Sequence, residues 1–414
     1  MPPEILRGLQ LKDLGRYADA ENAFREALAQ EPNDAFALHQ LAACQLHQPQ
    51  RKREALATID RAIAKEPNDA DHHVLRSYIL SVLDRPRDGL AAAQTALSLD
   101  PHHAGAFTAE AQAHLQTEQW PRAEQSARQA LALDADNSAA ANQLAQALRL
   151  QNKNAENAAH LAGMLARDPE DPFTHANAGW TALQRGEHRA AETHFREALR
   201  LDPDFESARD GLLNSFRARS PIYRTYLRYC FFMQRLSSGA RWAVIIGLYF
   251  GVKLAGQITG GDALVALYML FVLWVWVAKP VGNFFLLFDS FARYALRPRE
   301  KLEAAAVGGS LGPGLALLIA SFAFGWPAVV TLGIGLIAAS FPLSMTFTNG
   351  SRPGTWLFGT VAAVTLLGAA LTALAHLVPL IDQGTARQIF TVGAIGCLAA
   401  TWLGNVPALR RPAE

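Results

Sequence analysis

The sequence predicts an all-α protein in two unlike parts: an α-solenoid of helical hairpins over residues 1–216 and a polytopic bundle of about six transmembrane helices over 242–414, joined by a basic amphipathic segment at 217–241. Three observations predict it. A 34-residue beat of prolines and small residues runs through the first half, the charge balance reverses where that beat stops, and apolar runs fill the second half.

Proline marks the beat. Pro32, Pro67, Pro101, Pro169 and Pro203 are spaced by 35, 34, 68 and 34 residues, with the missing member falling at Ala135. Ala27, Ala62, Ala96, Ala130 and Ala198 follow the same period, and Met164 takes the alanine place in the fifth unit. Each unit reads as two helices separated by a break such as LGRY, LDRP, TEQW or QRGEH, then Asp or Glu before Pro. Small alanines let the two helices approach, Phe24 and Phe195 in the repeated word FREAL fill the space beside them, and proline ends one unit while setting the start of the next. Neither helix can bury its apolar face alone, so the units must stack. Phe205, Leu212, Leu213 and Phe216 have the helical spacing of a closing helix over the stack.

These positions resemble the tetratricopeptide repeat family. Gly8, Gly15, Tyr17, Ala20, Phe24, Ala27 and Pro32 fit its pattern in the first unit, and Gly179, Gly186, Ala191, Phe195, Ala198 and Pro203 fit it in the sixth, where His188 replaces the aromatic. Units two to five are more degenerate, keeping Trp120 at the aromatic place and Ala55 and Ala123 at the small one. The resemblance implies a concave groove, lined by the first helix of each unit, that binds a peptide or partner protein. Carried onto this sequence, the inward positions are His39, Gln40, Tyr78, Gln112, Asn142, Gln143, Gln146, Arg149, Asn177 and Trp180. That lining is rich in amides, which can pair with an extended peptide backbone. Ile5 and Leu9 stand where the carboxylate-clamping members of the family carry Lys and Asn, so a clamp of that type is not expected.

Charge then reverses. Residues 1–216 hold 31 Asp or Glu against 22 Lys or Arg, and residues 217–414 hold 6 against 16. The basic excess sits in short runs beside apolar stretches, which points to a membrane surface and away from nucleic acid. In SPIYRTYLRYCFFMQRLSSGAR, at 220–241, aromatics alternate with arginines at helical intervals, as in a helix lying on a membrane with its guanidiniums toward lipid phosphates. Cys44, Cys230 and Cys397 are too scattered to suggest a disulfide, which fits a reducing compartment. The opening MPPEILRGLQLKDLGRY lacks a signal-peptide core, so the repeats are expected in the cytoplasm.

Apolar runs fall at about Trp242–Ala255, Ala263–Ala278, Leu311–Gly325, Ala328–Phe347, Trp356–Val378 and Ile389–Val406, giving an expectation of six spans within a range of four to six. Gly247, Gly251 and Ala255, and again Gly396, Ala400 and Gly404, are four apart and predict flat faces for close helix packing. Between the second and third runs, Val281, Phe284, Phe285, Phe288 and Phe291 share a face, predicting an in-plane amphipathic helix near 281–297. The connections on one side carry 14 Lys or Arg, ending in Arg410 and Arg411, against at most Lys253 and Arg387 on the other. This bias places both termini in the cytoplasm and implies an even number of spans. The juxtamembrane stretches look like those of bacterial tetratricopeptide membrane proteins, a resemblance that implies a bacterial inner membrane and brings no active site.

No catalytic constellation is found. The apolar runs hold His376 and Lys253 with no Asp or Glu, Ser340 and His376 lack the setting of an intramembrane serine protease, and VGGSLGPG at 307–314 lacks the ending of a phosphate loop and reads as a flexible entry to the third span. His72 with His73, His102 with His103, and His188 with Glu192 lack a third ligand, so no metal or other cofactor is expected. The sequence therefore predicts a non-catalytic, membrane-anchored docking scaffold whose partners are a protein or peptide and membrane lipids; it leaves self-association open. The alternative is a transporter or membrane-embedded enzyme regulated by the solenoid, with a polar cavity at His376.

Overall fold

The computed structural model describes residues 1–257, 262–326, 329–376, 378, 381–403, 406 and 409. Ala328, Gly404, Arg410 and Arg411 lie outside the described residues.

Six hairpins form in sequence: α1 (Pro3–Asp13) with α2 (Tyr17–Gln30), α3 (Ala35–Leu46) with α4 (Lys52–Lys65), α5 (Ala70–Val82) with α6 (Pro86–Leu99), α7 (Ala104–Gln116) with α8 (Trp120–Leu133), α9 (Ser138–Leu150) with α10 (Asn154–Arg167), and α11 (Pro172–Arg185) with α12 (His188–Leu201). Polar caps start most of the first helices. Asp34, Asp69, His103, Asn137 and Asp171 each accept a hydrogen bond from a backbone N–H two or three residues on, which satisfies a donor that the helix itself leaves open. This series keeps the period through the turn where Pro is missing at Ala135, because Asn137 does the capping there.

The breaks inside the hairpins share a second device. Gly15, Asp84, Glu118, Asn152 and Gly186 all have left-handed backbone, with φ of 72°, 59°, 60°, 63° and 85°. An L side chain strains that conformation, by about 1–2 kcal/mol. Replacing Asp84 by glycine is expected to stabilise the protein by about 0.5–1 kcal/mol, once the greater freedom of unfolded glycine is subtracted. Gly15→Ala should shift the thermal midpoint in the opposite direction; a lowered midpoint in Asp84→Gly would contradict the account.

Packing follows residue volume. Phe24 is fully buried, and a Cβ built on Gly8 would lie 2.7 Å from its ring. Phe195 stands in the same relation to Gly179, again at 2.7 Å. Where the second helix carries the smaller Ile59 or Leu161, the first carries Ala42 or Ala145 in the same apolar cluster. Thus FREAL returns at the two ends of the array with a glycine opposite it.

Contacts divide the chain into two units. One holds Met1–Arg185, Thr193–Phe205 and Phe231–Trp242; the other holds Gly186–Glu192, Glu206–Cys230 and the residues after Trp242. Helix α13 (Glu206–Arg217), expected to close the stack, groups with the second unit, as does most of α14 (Pro221–Arg235). The physical reason is polar as well as apolar. Arg217 is buried and donates from Nε and Nη2 to Asn283 Oδ1 at 2.8 and 2.6 Å, while Arg209 pairs with Glu300 and Arg297 with Glu206.

The second unit also contains α15 (Ser238–Ala255) beyond Trp242, α16 (Asp262–Leu286), α17 (Pro298–Phe324), α18 (Val330–Thr348), α19 (Arg352–Ala375) and α20 (Gln383–Leu403). Among the described residues, four helices are long and apolar enough to cross a membrane: Ala263–Leu286, Pro298–Phe324, Val330–Thr348 and Arg352–Ala375. Helices α17 to α20 pack successively. Gly314 and Gly333 face each other, each placing a virtual Cβ 3.0 Å from the other's carbonyl oxygen, so the α17 and α18 backbones touch.

Several expectations change. No separate in-plane helix spans 281–297: α16 runs through Pro280 to Leu286, followed by turns and a 3-10 turn at Ala292–Tyr294. Phe284 explains part of this, since its ring lies against the bare backbone of Gly308 on α17, drawing one residue of the predicted apolar face into the helix pair. The glycine-rich 307–314 stretch is helical, as part of the 27-residue α17, and not a flexible entry. Gly247 and Gly251 have no neighbour within 4 Å, and α15 has no buried residue, so the first small-residue face is unpacked. In the second such stripe, Gly396 lies against Val361 and Ala400 is buried. Glu303, outside the predicted third run, is buried on α17 and accepts from Ser344 Oγ at 2.5 Å.

Candidate functional site

The first helices of successive hairpins contact one another more extensively than the second helices do, so they form the inner layer of the stack. All ten predicted groove residues lie on these first helices. Many of their polar groups, however, are spent on each other. Asn177 Nδ2 donates to Asn142 Oδ1 at 2.8 Å, Gln143 Nε2 to Gln112 Oε1 at 3.3 Å, and Lys12 Nζ to Gln40 Oε1 at 2.7 Å. Asn142 Nδ2 in turn donates to Asp171 Oδ2 at 2.9 Å. The partners stand 28 to 35 residues apart, about one repeat, because stacking brings equivalent positions of adjacent helices within side-chain reach. Gln116 and Gln184, two periods apart, clip the stack likewise by donating to Ser81 O and Arg149 O.

What remains for a ligand is narrower than the sequence suggested. Gln146 is exposed, and the buried Gln143 Oε1 has no hydrogen-bond partner. Trp180 meets Phe195 edge to face with centroids 5.3 Å apart, which ties it to the core. Burial pushes the Tyr78 phenol up to about 12, partly opposed by its hydrogen bond with Thr108. His39 Nδ1 lies 3.2 Å from His72 Nδ1, and burial first, then His72 beside it, lowers the His39 imidazole to about 4. His39 is accordingly neutral near pH 7.

The structure adds Glu66, Asp69, Glu110, His114 and Ser126, which the sequence reading did not single out. One ligand atom each from His72, Glu66 and Asp69 lies within 4.8 Å of the others, a grouping that could hold a metal ion and that does not include His73. The spacing Glu66, Asp69, His72 across an inter-repeat turn was the available signal. In a polar cavity of about 260 Å³ lined in part by Glu110, His114 and Ser126, Ser126 Oγ donates to Glu110 Oε2 at 2.7 Å, whereas His114 Nε2 is 3.9 Å from Glu110. The serine is thus hydrogen-bonded to a carboxylate, and not paired with a histidine base.

Arg149 is the other surprise. The segment Phe231–Trp242 packs on the hairpin before the one that carries it: Trp120 Nε1 donates to Arg235 O at 3.3 Å, and Glu118 accepts from Ser238 N at 2.8 Å and pairs with Arg241. Ser238 opens α15, so the Glu118 carboxylate sits at a helix N-terminus, where negative charge is favoured. His376 ends α19 and is exposed.

The geometry defines a helical-hairpin solenoid, the class of repeat protein that presents one continuous face built from equivalent helices. Residues 11–77, 108–172 and 174–205 each match a tetratricopeptide repeat family model, and the repeat region of this chain belongs to that family. Comparison with curated proteins returns no match. Among solved structures, the chain is similar to a tetratricopeptide repeat protein from Parabacteroides merdae ATCC 43184, at 17% identity and TM-score 0.43 over 55% of this chain and 89% of that one. PilW, a type IV pilus biogenesis factor, is similar at 18% identity and TM-score 0.44 over 50% of this chain and 96% of its own. Pseudomonas aeruginosa pilF follows at 17% and 0.41, over 50% and 94%.

Proposed function

We propose that the protein is a membrane-anchored adaptor that docks an extended peptide or partner protein on the first-helix face of its solenoid. The observation that carries this reading is the union in one chain of a tetratricopeptide array with four helices long and apolar enough to cross a bilayer. Tetratricopeptide arrays are interaction scaffolds, and anchoring one raises the local concentration of whatever it recruits, so modest affinity suffices. We read the chain as non-catalytic, with the repeats on the cytoplasmic side of a bacterial inner membrane, supported by the one-sided distribution of Lys and Arg.

The exposed Gln146 is the group best placed to meet a peptide backbone, with the buried, unpartnered Gln143 Oε1 three residues before it. Cross-linking from intact membranes through a photoreactive side chain at position 112 is expected to capture a discrete partner, with capture reduced about tenfold by Gln143→Leu with Gln146→Leu, the loss of one or two hydrogen bonds. Unchanged capture in that double variant rejects docking at this face. A second reading, a bundle with its own activity, is favoured by the buried Glu303 beside Ser344. Loss of an activity in Glu303→Gln with capture intact would support it.

A further inference from the structure

Arg149 lies in the last turn of the first helix of the fifth hairpin, and Arg235 on the 231–242 segment that groups with the repeats. Both Nε groups are buried and have no acceptor, and among the described residues neither guanidinium has an acidic partner. Trp120 links their surroundings: its Nε1 donates to Arg235 O at 3.3 Å and its ring packs against Ala147 and Leu150, which flank Arg149 on α9; burial first, and Arg235 second, lower the Arg149 guanidinium to about 10. Carboxylates on the neighbouring fourth hairpin are already committed. Glu118 holds Ser238 N and Arg241, and Glu124 holds Arg128, Gln151 and Lys153. Neighbouring like charges whose buried Nε donors are unsatisfied are costly and call for a counter-ion.

We propose that Arg149 and Arg235 together form a binding site for a phosphate group, held between the two guanidinium forks. Each fork offers parallel N–H donors to a pair of oxygens, and the tetrahedral oxygens of a phosphate can present a separate pair to each fork. Bound there, the anion joins the 231–242 segment to the repeat and neutralises the repulsion that otherwise loosens it. Arg235 stands seven residues before Trp242, where the apolar sequence begins, so a phospholipid headgroup and a soluble phosphate are both within chain reach. The site does not depend on peptide docking at Gln146.

The test uses the full chain in uncharged detergent, with inorganic phosphate titrated against chloride of equal ionic strength. A parallel arm places it in nanodiscs of phosphatidylcholine with or without phosphatidic acid. A saturable rise in thermal midpoint is expected, with apparent affinity about tenfold weaker in Arg149→Gln or Arg235→Gln, as loss of a charge-assisted hydrogen bond implies. Without ligand, both variants should melt at or above the wild type because the repulsion is gone. Arg149→Lys, which keeps the charge but not the fork, gives an intermediate affinity and remains informative if a glutamine variant misfolds. A rise in the lipid arm alone assigns the site to a headgroup, and a rise with inorganic phosphate alone assigns it to a soluble anion. No rise in either arm, or an undiminished rise in all three variants, overturns the site.

Discussion

Gly8→Ala is expected to destabilise the first repeat by about 2–3 kcal/mol, the cost of forcing a methyl group into a filled core. The added Cβ would lie 2.7 Å from Cε1 and Cζ of Phe24. The ring has nowhere to retreat, being packed with Ile5, Ala20, Ala27, Ala37, Leu41 and Cys44. Because each repeat leans only on its neighbours, the damage should be local, appearing as faster amide hydrogen exchange in α1 and α2 before the remaining hairpins respond. Gly179→Ala should do the same around Phe195. Adding Phe24→Ile to Gly8→Ala recreates the Ala42 and Ile59 combination of the second repeat and should recover more than half of the loss. A Gly8→Ala protein with unaltered exchange in these helices would show that the ring moves aside freely.

Asn283→Leu should be at least as damaging, by about 3–5 kcal/mol, because it leaves a buried arginine without its main acceptor. Arg217 is 4% exposed and Asn283 is fully buried, with two of the guanidinium nitrogens on the one Asn283 oxygen. Asn214 accepts a third bond at 3.0 Å, and Gly282 leaves room for the arginine stem, since a Cβ there would sit 3.0 Å from Arg217 Cδ. Removing the charge as well, in Arg217→Met with Asn283→Leu, should restore most of the stability. Denaturation of the detergent-solubilised chain measures both. A double variant as unstable as Asn283→Leu alone would move the cause from the orphaned charge to packing at position 283.

The repeat was readable because stacking favours the same small residue at the same place in successive units, five of the six here. Ala27, Ala62, Ala96 and Ala130 are all buried, and the resulting period survives even where Pro is absent at Ala135. The groove was readable only as an address. Placing Asn142, Gln143 and Asn177 on the inner helices follows from period, but their mutual pairing depends on distances between helices that a linear pattern does not contain. Amphipathicity misled in the apolar half. Phe284 and Phe288 suggested a surface helix, yet the bare backbone of Gly308, twenty or more residues downstream, takes the first of those rings.

Sequence alone determined the hairpins, their 34-residue register, the reversal of charge and the presence of helices long enough to cross a bilayer, since each depends on local period and composition. Tertiary structure decided which polar groups stay free. It paired the amides, left the buried Nε of Arg149 and of Arg235 without an acceptor, and brought Glu303 to Ser344. A side chain's valence is local chemistry, but whether that valence is already satisfied depends on neighbours that only folding brings near.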